Sequence, residues 1–162
     1  MDIFRFDESR TREAVLYILN SLDVVDKYKL SKLLYFADKI HLSKYGRTIT
    51  GDEYVKMEYG PVPSKVYDVI KGNIQDLIPV HTQGVRVMAN RNANIEELSE
   101  SDVNCIRESI EKYGNKDFGE LYDLSHDETW HAGDDNEKFN VDQFLSTFNN
   151  KEELKEHIES WD

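Results

Sequence analysis

The sequence holds one cysteine, Cys105, so no internal disulfide can form and the fold has to stand on packing alone. Its apolar runs are only a few residues long, far short of a bilayer span, and no charged-then-apolar leader precedes the first helical pattern. The expected compartment is therefore the cytoplasm. Proline is scarce, at three residues, and there is neither a low-complexity linker nor an internal repeat to divide the chain. Residues 1–162 are thus expected to form a single domain, long enough to bury a core of its own. Enzyme signatures are missing as well: no Gly-rich phosphate loop, no nucleophile elbow, no His-Glu-x-x-His and no paired cysteines.

Acidic charge is abundant, and it is unevenly placed. Residues 1–93 carry 14 Lys and Arg against 12 Asp and Glu, whereas residues 94–162 carry 6 against 20, giving the net charge of -12. Such a surface repels phosphate backbones and attracts basic partners, which disfavours nonspecific nucleic-acid binding by the second half.

Local patterning predicts a mostly helical α+β chain with a small antiparallel β-sheet. Asp7 caps a helix from Glu8 to Leu22, in which Ala14, Val15, Ile18, Leu19 and Leu22 share one face. Asp26 caps a second helix with Leu30, Leu33, Leu34, Ala37 and Ile40 on one side. Tyr35, Phe36 and Leu42 lie outside that arc, which marks a central helix packed on two sides. Its remaining face collects Lys29, Lys32 and Lys39 as a basic stripe. Gly46 closes the helix, Arg47 to Asp52 reads as a loop, and Val55, Met57 and Tyr59 alternate as a half-buried strand over Glu53–Tyr59. Gly60 and Pro61 are expected to stop that strand, and Pro63 to launch a helix over Ser64–Gly72. Leu77–Val80 and Val85–Met88 read as a hairpin around His-Thr-Gln-Gly.

Ser99 with Asp102 resembles a capping box ahead of Val103, Ile106, Ile110 and Tyr113, with Gly114 as the stop. A shorter helix follows from Phe118 to about Ser125. Asp127–Asn136 reads as an exposed loop with Trp130 as its one anchor. Asn140 with Gln143 and Asn150 with Glu153 open two last helices, the final one burying Leu154, Ile158 and Trp161.

Among titratable groups, His126 and His131 stand near Asp127, Glu128, Asp134 and Asp135. These residue types suit a divalent metal, yet a His-x4-His spacing across a helix end does not put both rings on one rigid face. The competing expectation is that His126 simply caps the helix end. His41 sits on the apolar arc of the central helix and is expected to be a hydrogen-bonded core histidine, and Cys105 an inert packing residue.

Several blocks in fixed order resemble one known family. Lys32-Leu33-Leu34-Tyr35-Phe36-Ala37-Asp38, His41-Leu42, Tyr45-Gly46-Arg47, Ile49-Thr50-Gly51-Asp52 and Gly60-Pro61-Val62-Pro63 are similar to the Panacea domain of the SocA-like, phage-associated antitoxins. Leu98-Ser99, Tyr113-Gly114 and Leu124-Ser125-His126 before Trp130 look like its later landmarks, so the resemblance covers roughly residues 10–132. It implies an antitoxin of a toxin–antitoxin system, a binding protein and not an enzyme, without cofactor, whose partner is a cognate toxin. Members neutralise unrelated toxins by direct contact, and the namesake acts as an adaptor that delivers its toxin to a protease. An ATP-dependent protease is accordingly a second expected partner under the adaptor reading.

No catalytic set carries over from such a family. The expected partner surface is the exposed members of Lys29, Lys32, Tyr35, Lys39, Arg47 and Tyr59, with the acidic second half matched to a basic toxin. Two alternatives stay open on the residues: a metal-dependent hydrolase using His126 and His131, and a nucleic-acid-binding regulator of its own operator using the Lys29, Lys32 and Lys39 stripe.

Overall fold

The computed structural model describes residues 2–160. Its organising element is α2 (Lys27–Tyr45), capped by the Asp26 carboxylate on the Lys29 amide at 2.8 Å and closed by Gly46 in the left-handed conformation. Leu30, Leu33, Leu34 and Ala37 face one apolar core, together with Val15 and Ile18 of α1 (Glu8–Ser21) and Cys105 and Ile106 of α4 (Glu100–Tyr113). Tyr35, Phe36 and Leu42 face a second core containing Tyr54, Leu121, Phe139, Phe144, Leu154 and Ile158. The two-sided helix expected from the pattern is thus present. Fully burying one of its leucines contributes about 1.5–3 kcal/mol, so both cores depend on this one element.

The strands form two separate antiparallel hairpins where one small sheet was expected. β1 (Tyr54–Met57) pairs with β2 (Gly60–Pro63), and β3 (Val80–Gln83) pairs with β4 (Arg86–Ala89). Gly60-Pro61-Val62-Pro63 is therefore a strand and not a stop. Two prolines are tolerated because β2 is an edge strand with no second neighbour to receive their missing donors. The far edge of β1 is covered by residues 136–139, where the Lys56 amide donates to Glu137 and Phe139 donates back to Tyr54. In the second hairpin the turn falls at Gly84-Val85, two residues later than His-Thr-Gln-Gly, and residues 25–27 lie along β4.

α3 (Ser64–Ile70) begins after Pro63, and Asp52 supplies the cap that proline lacks by accepting from the Lys65 and Val66 amides. The Ser99–Asp102 capping box opens α4 as expected, and a second one, Asp117 with Glu120, opens α5 (Phe118–Ser125). Residues 127–136 hold a short helix, α6 (Glu128–Ala132), where a loop was expected; Asp127 caps it at the Trp130 amide. α7 (Val141–Phe144) has the Asn140–Gln143 capping box, and α8 (Lys151–Glu159) buries Leu154 and Ile158. Trp161 lies outside the described residues. No helix among those described is long and apolar enough to cross a membrane.

Candidate functional site

Most of the quoted motif residues turn out to build the frame. Asp38 is fully buried, and its carboxylate accepts from the Ile49 amide at 2.7 Å, the Thr50 amide at 3.1 Å, the Thr50 hydroxyl at 2.6 Å and the Tyr54 hydroxyl at 2.7 Å. One side chain thereby folds the Ile-Thr-Gly-Asp loop onto α2 and fastens β1. Burial pushes its carboxyl up, opposed by those donors, and raises Asp52 to about 6 in the same way. Gly51 has φ +66, and a Cβ there would lie 1.8 Å from the Arg5 carbonyl oxygen, so the loop also demands glycine.

His41 is a satisfied core histidine. Its Nδ1 donates to the Arg47 carbonyl at 2.7 Å, and its Nε2 lies 2.8 Å from the Ser101 hydroxyl and 3.3 Å from Asp102. Burial draws its pKa down, which suits the neutral ring. Cys105 is buried too, its thiol pushed up to about 11 by desolvation, which keeps it unreactive.

The structure redistributes the six residues expected to form a partner surface. Tyr35 is fully buried and donates its hydroxyl to Asp127 at 2.7 Å. Lys39 is buried as well, and its ammonium is consumed inside, donating to the Thr129 hydroxyl at 2.7 Å, the Thr147 hydroxyl at 2.9 Å and the Phe144 carbonyl. It stands 4.3 Å from the Phe144 ring centroid, and burial draws it down to about 7. Arg47 is spent on Asp102 at 2.9 Å and on the Thr48 carbonyl. These three fasten the frame. Tyr35 and Lys39 are covered by the segment from Asp127 to Thr147, which packs over their side of α2, whereas Arg47 is held by Asp102 of α4. The basic stripe therefore does not exist as a surface, and with it goes the ground for reading α2 as a phosphate-binding face.

Lys29, Lys32 and Tyr59, by contrast, come together. Tyr28 in the first turn of α2, Tyr59 in the β1–β2 turn and Phe118 at the start of α5 meet edge to face, with ring centroids 5.4, 5.5 and 5.8 Å apart. Tyr59 and Phe118 remain 43% and 46% exposed. The Asp26 and Asp117 caps fix the two helix starts, and Gly60 at φ +127 fixes the turn, so the triangle sits on rigid ends.

Lys32 lies beneath it, only 3% exposed, its ammonium 5.9 Å from the Tyr28 centroid and 5.5 Å from that of Phe118. It makes no hydrogen bond or ion pair with any described residue. Desolvation draws it down to about 8, partly offset by Asp26. Two hollows flank it. One of about 250 Å³ is walled by Tyr28, Met57, Tyr59, Val62 and Tyr67, and one of about 180 Å³ reaches Val24, Lys29, Lys116 and Phe118. A third, along Lys56, Tyr122 and Trp130, continues the furrow past Met57 and Glu58.

Tyr28 and Phe118 escaped the sequence reading because 90 positions separate them and nothing local announces that they meet. The one available signal was their shared place, an aromatic in the first turn behind a capping aspartate.

His126 and His131 form a different arrangement from a metal site. His126 sets Nδ1 2.6 Å from the Tyr122 carbonyl and Nε2 2.8 Å from the Glu58 carbonyl, so each nitrogen faces an acceptor and only a ring carrying both protons donates to both. Its ring stacks on Tyr122 at 3.8 Å and leans on Trp130 at 4.2 Å, while His131 meets the other side of Trp130. It is the helix-end ring expected as the alternative to a ligand. Among the described residues no three His, Cys, Asp or Glu side chains gather as a metal site.

No curated protein and no solved structure matches the chain. A family model described as "Antitoxin SocA-like, Panacea domain" matches residues 30–131, more than half of the sequence. That span runs from Leu30, the first core residue of α2, to His131 beside Trp130, and encloses Lys32, the β1–β2 turn and α5. The chain belongs to the SocA-like antitoxin family that carries the Panacea domain.

Proposed function

We propose that the chain neutralises a cognate toxin by direct contact, and that the furrow around Tyr28, Tyr59 and Phe118 is the surface that receives it. One observation carries the reading: two half-exposed aromatic rings stand on fixed helix and turn ends beside a lysine without a partner. Rings of this kind supply large contact area at low entropy cost, and such anchors dominate protein–protein binding energy. The family supports a toxin as the partner. The negative field of residues 94–162 steers a basic protein from a distance, whereas the furrow makes the short-range contact.

The test is co-expression with the product of the neighbouring gene. The wild-type chain is expected to restore growth, and Tyr59→Ala with Phe118→Ala to fail while remaining folded. Loss of two such anchors weakens the complex by roughly 2–4 kcal/mol, about 30- to 1,000-fold in Kd. Full rescue by the double variant removes the furrow from the interface, and growth arrest that the wild type does not relieve removes that toxin as the partner. Rescue that depends on the host's ATP-dependent protease assigns the adaptor route; rescue without it assigns occlusion.

A further inference from the structure

We propose that Lys32 is a carboxylate-recognition site, and that the furrow takes from its partner an acidic side chain flanked by an apolar or aromatic one. The proposal rests on the docking reading for its partner, and on Lys32 itself for its chemistry.

An ammonium removed from water loses several kcal/mol of hydration unless charge or hydrogen bonds replace it. Elsewhere in this chain protein hydrogen bonds take the place of water around a buried charge. The ammonium of Lys39 uses all three of its donors on oxygen atoms, and the buried carboxylate of Asp38 accepts four bonds. Lys32 is only 3% exposed as a residue and uses none of its donors on protein, its ammonium reaching solvent through the hollows beside it. Its compensation is the pair of rings, at centroid distances where the attraction is weak, and the charge of Asp26, which forms neither a hydrogen bond nor an ion pair with it. The nearest acidic groups are already placed. Asp26 is committed to the Lys29 amide and Asp117 to the Glu120 amide, and Glu58 lines the larger hollow without an ion pair to Lys32.

The ammonium is not sealed in: it keeps contact with solvent, and Lys32 lines both hollows. A carboxylate entering the larger hollow finds three unused donors at its floor, and an adjoining apolar group finds Met57, Val62 and Tyr67 on its walls. Around the two hollows Lys27, Lys29, Lys32 and Lys116 outnumber Asp26, Glu58 and Asp117 by one, a locally positive balance in a protein of net charge -12. The negative field of the acidic half is no obstacle over such a distance, because exposed charges are screened beyond about 8–10 Å. Desolvation draws Lys32 toward about 8, so an arriving carboxylate also completes its protonation.

The probe is 3-phenylpropionate, with neutral 3-phenylpropan-1-ol as its control, titrated into the full chain and followed by amide NMR shifts. The acid is expected to bind in the millimolar range and to move Tyr28, Lys32 and Tyr59. Because a charge-assisted hydrogen bond is involved, it should bind about 10- to 100-fold more tightly than the alcohol. Lys32→Met fills the same channel with an uncharged chain; it should keep the wild-type circular dichroism and lose that preference. In the wild-type protein, which needs no substitution, affinity for the acid should fall as pH rises beyond about 8.

Equal affinity for acid and alcohol overturns the proposal, as does a preference that survives in Lys32→Met or a flat pH response. Acid recognition that persists when Tyr59→Ala with Phe118→Ala still neutralises the toxin supports the Lys32 site and removes the docking surface instead.

Discussion

Replacing Asp38 tests whether one carboxylate holds the frame beneath the furrow. In Asp38→Ala, four buried donors lose their acceptor: two backbone amides and two hydroxyls. Each orphaned donor costs about 1–3 kcal/mol, but the hydroxyls can turn toward other acceptors and the loop can relax. The amides of Ile49 and Thr50 cannot turn, so a total of roughly 3–5 kcal/mol is expected, the size seen when a buried polar partner is removed. Asp38→Asn is the sharper half of the experiment. Its oxygen can keep both amides, its nitrogen can donate to hydroxyls that rotate to accept, and it no longer buries a charge that desolvation penalises. A loss of about 1 kcal/mol is expected there.

Urea unfolding separates the two. With a slope of about 2 kcal/mol per molar urea, alanine should lower the midpoint by roughly 2 M and asparagine by about 0.5 M. Equal losses in the two variants would refute the reasoning, since only the count of orphaned donors distinguishes them. A second readout connects the frame to the surface. Tyr54 opens the strand whose turn carries Tyr59, so Asp38→Ala should broaden or shift the Tyr59 amide signal more than Asp38→Asn does.

Gly51→Ala places a Cβ within 1.8 Å of the Arg5 carbonyl oxygen at a φ that side chains resist. A loss of about 3 kcal/mol is expected, read as a melting temperature lower by roughly 6–12 °C. A change under 2 °C in calorimetry would mean that the two backbones are not in contact. For Lys39 the folded pKa is depressed to about 7 from 10.5, so the unfolded chain holds the proton more tightly across that window. Its contribution to stability is present above 10.5 and is lost as pH falls through about 7. Wild-type stability minus that of Lys39→Met should accordingly rise between pH 7 and 10; urea midpoints of the two proteins that run parallel over that range contradict it.

Local signals located the helices well because caps and periodicity are short-range quantities. Asp7, Asp26, Ser99 with Asp102, and Asn140 with Gln143 all cap as their spacing foretells. The errors share a cause at longer range. The pattern of α2 shows two packed faces, but it does not say which residues reach the second, where Thr129, Phe144 and Thr147 arrive from distant sequence. Lys39 and Tyr35 were assigned to solvent for that reason, although Lys39 meets Phe144 and Thr147 more than 100 residues away. Gly60-Pro61 reads as a stop because prolines lack a donor, yet on an edge strand that donor is not needed. The furrow was half visible: Lys29, Lys32 and Tyr59 lie in one stretch, whereas Phe118 arrives through the tertiary fold.

The prolines of β2 also limit how a visiting chain could dock at the proposed surface. Beside the furrow the outer strand offers no regular ladder of amides, and the opposite edge of the hairpin is already occupied by residues 136–139. A visiting chain finds little main chain there to extend, so recognition falls to side chains at the rim. Tyr59 and Phe118 lie outside both cores, so exchanging them would change the proposed docking surface and their ring contacts with Tyr28 while leaving the two cores on α2 in place. On the proposed reading, the scaffold and the docking rim would then be separable by substitution.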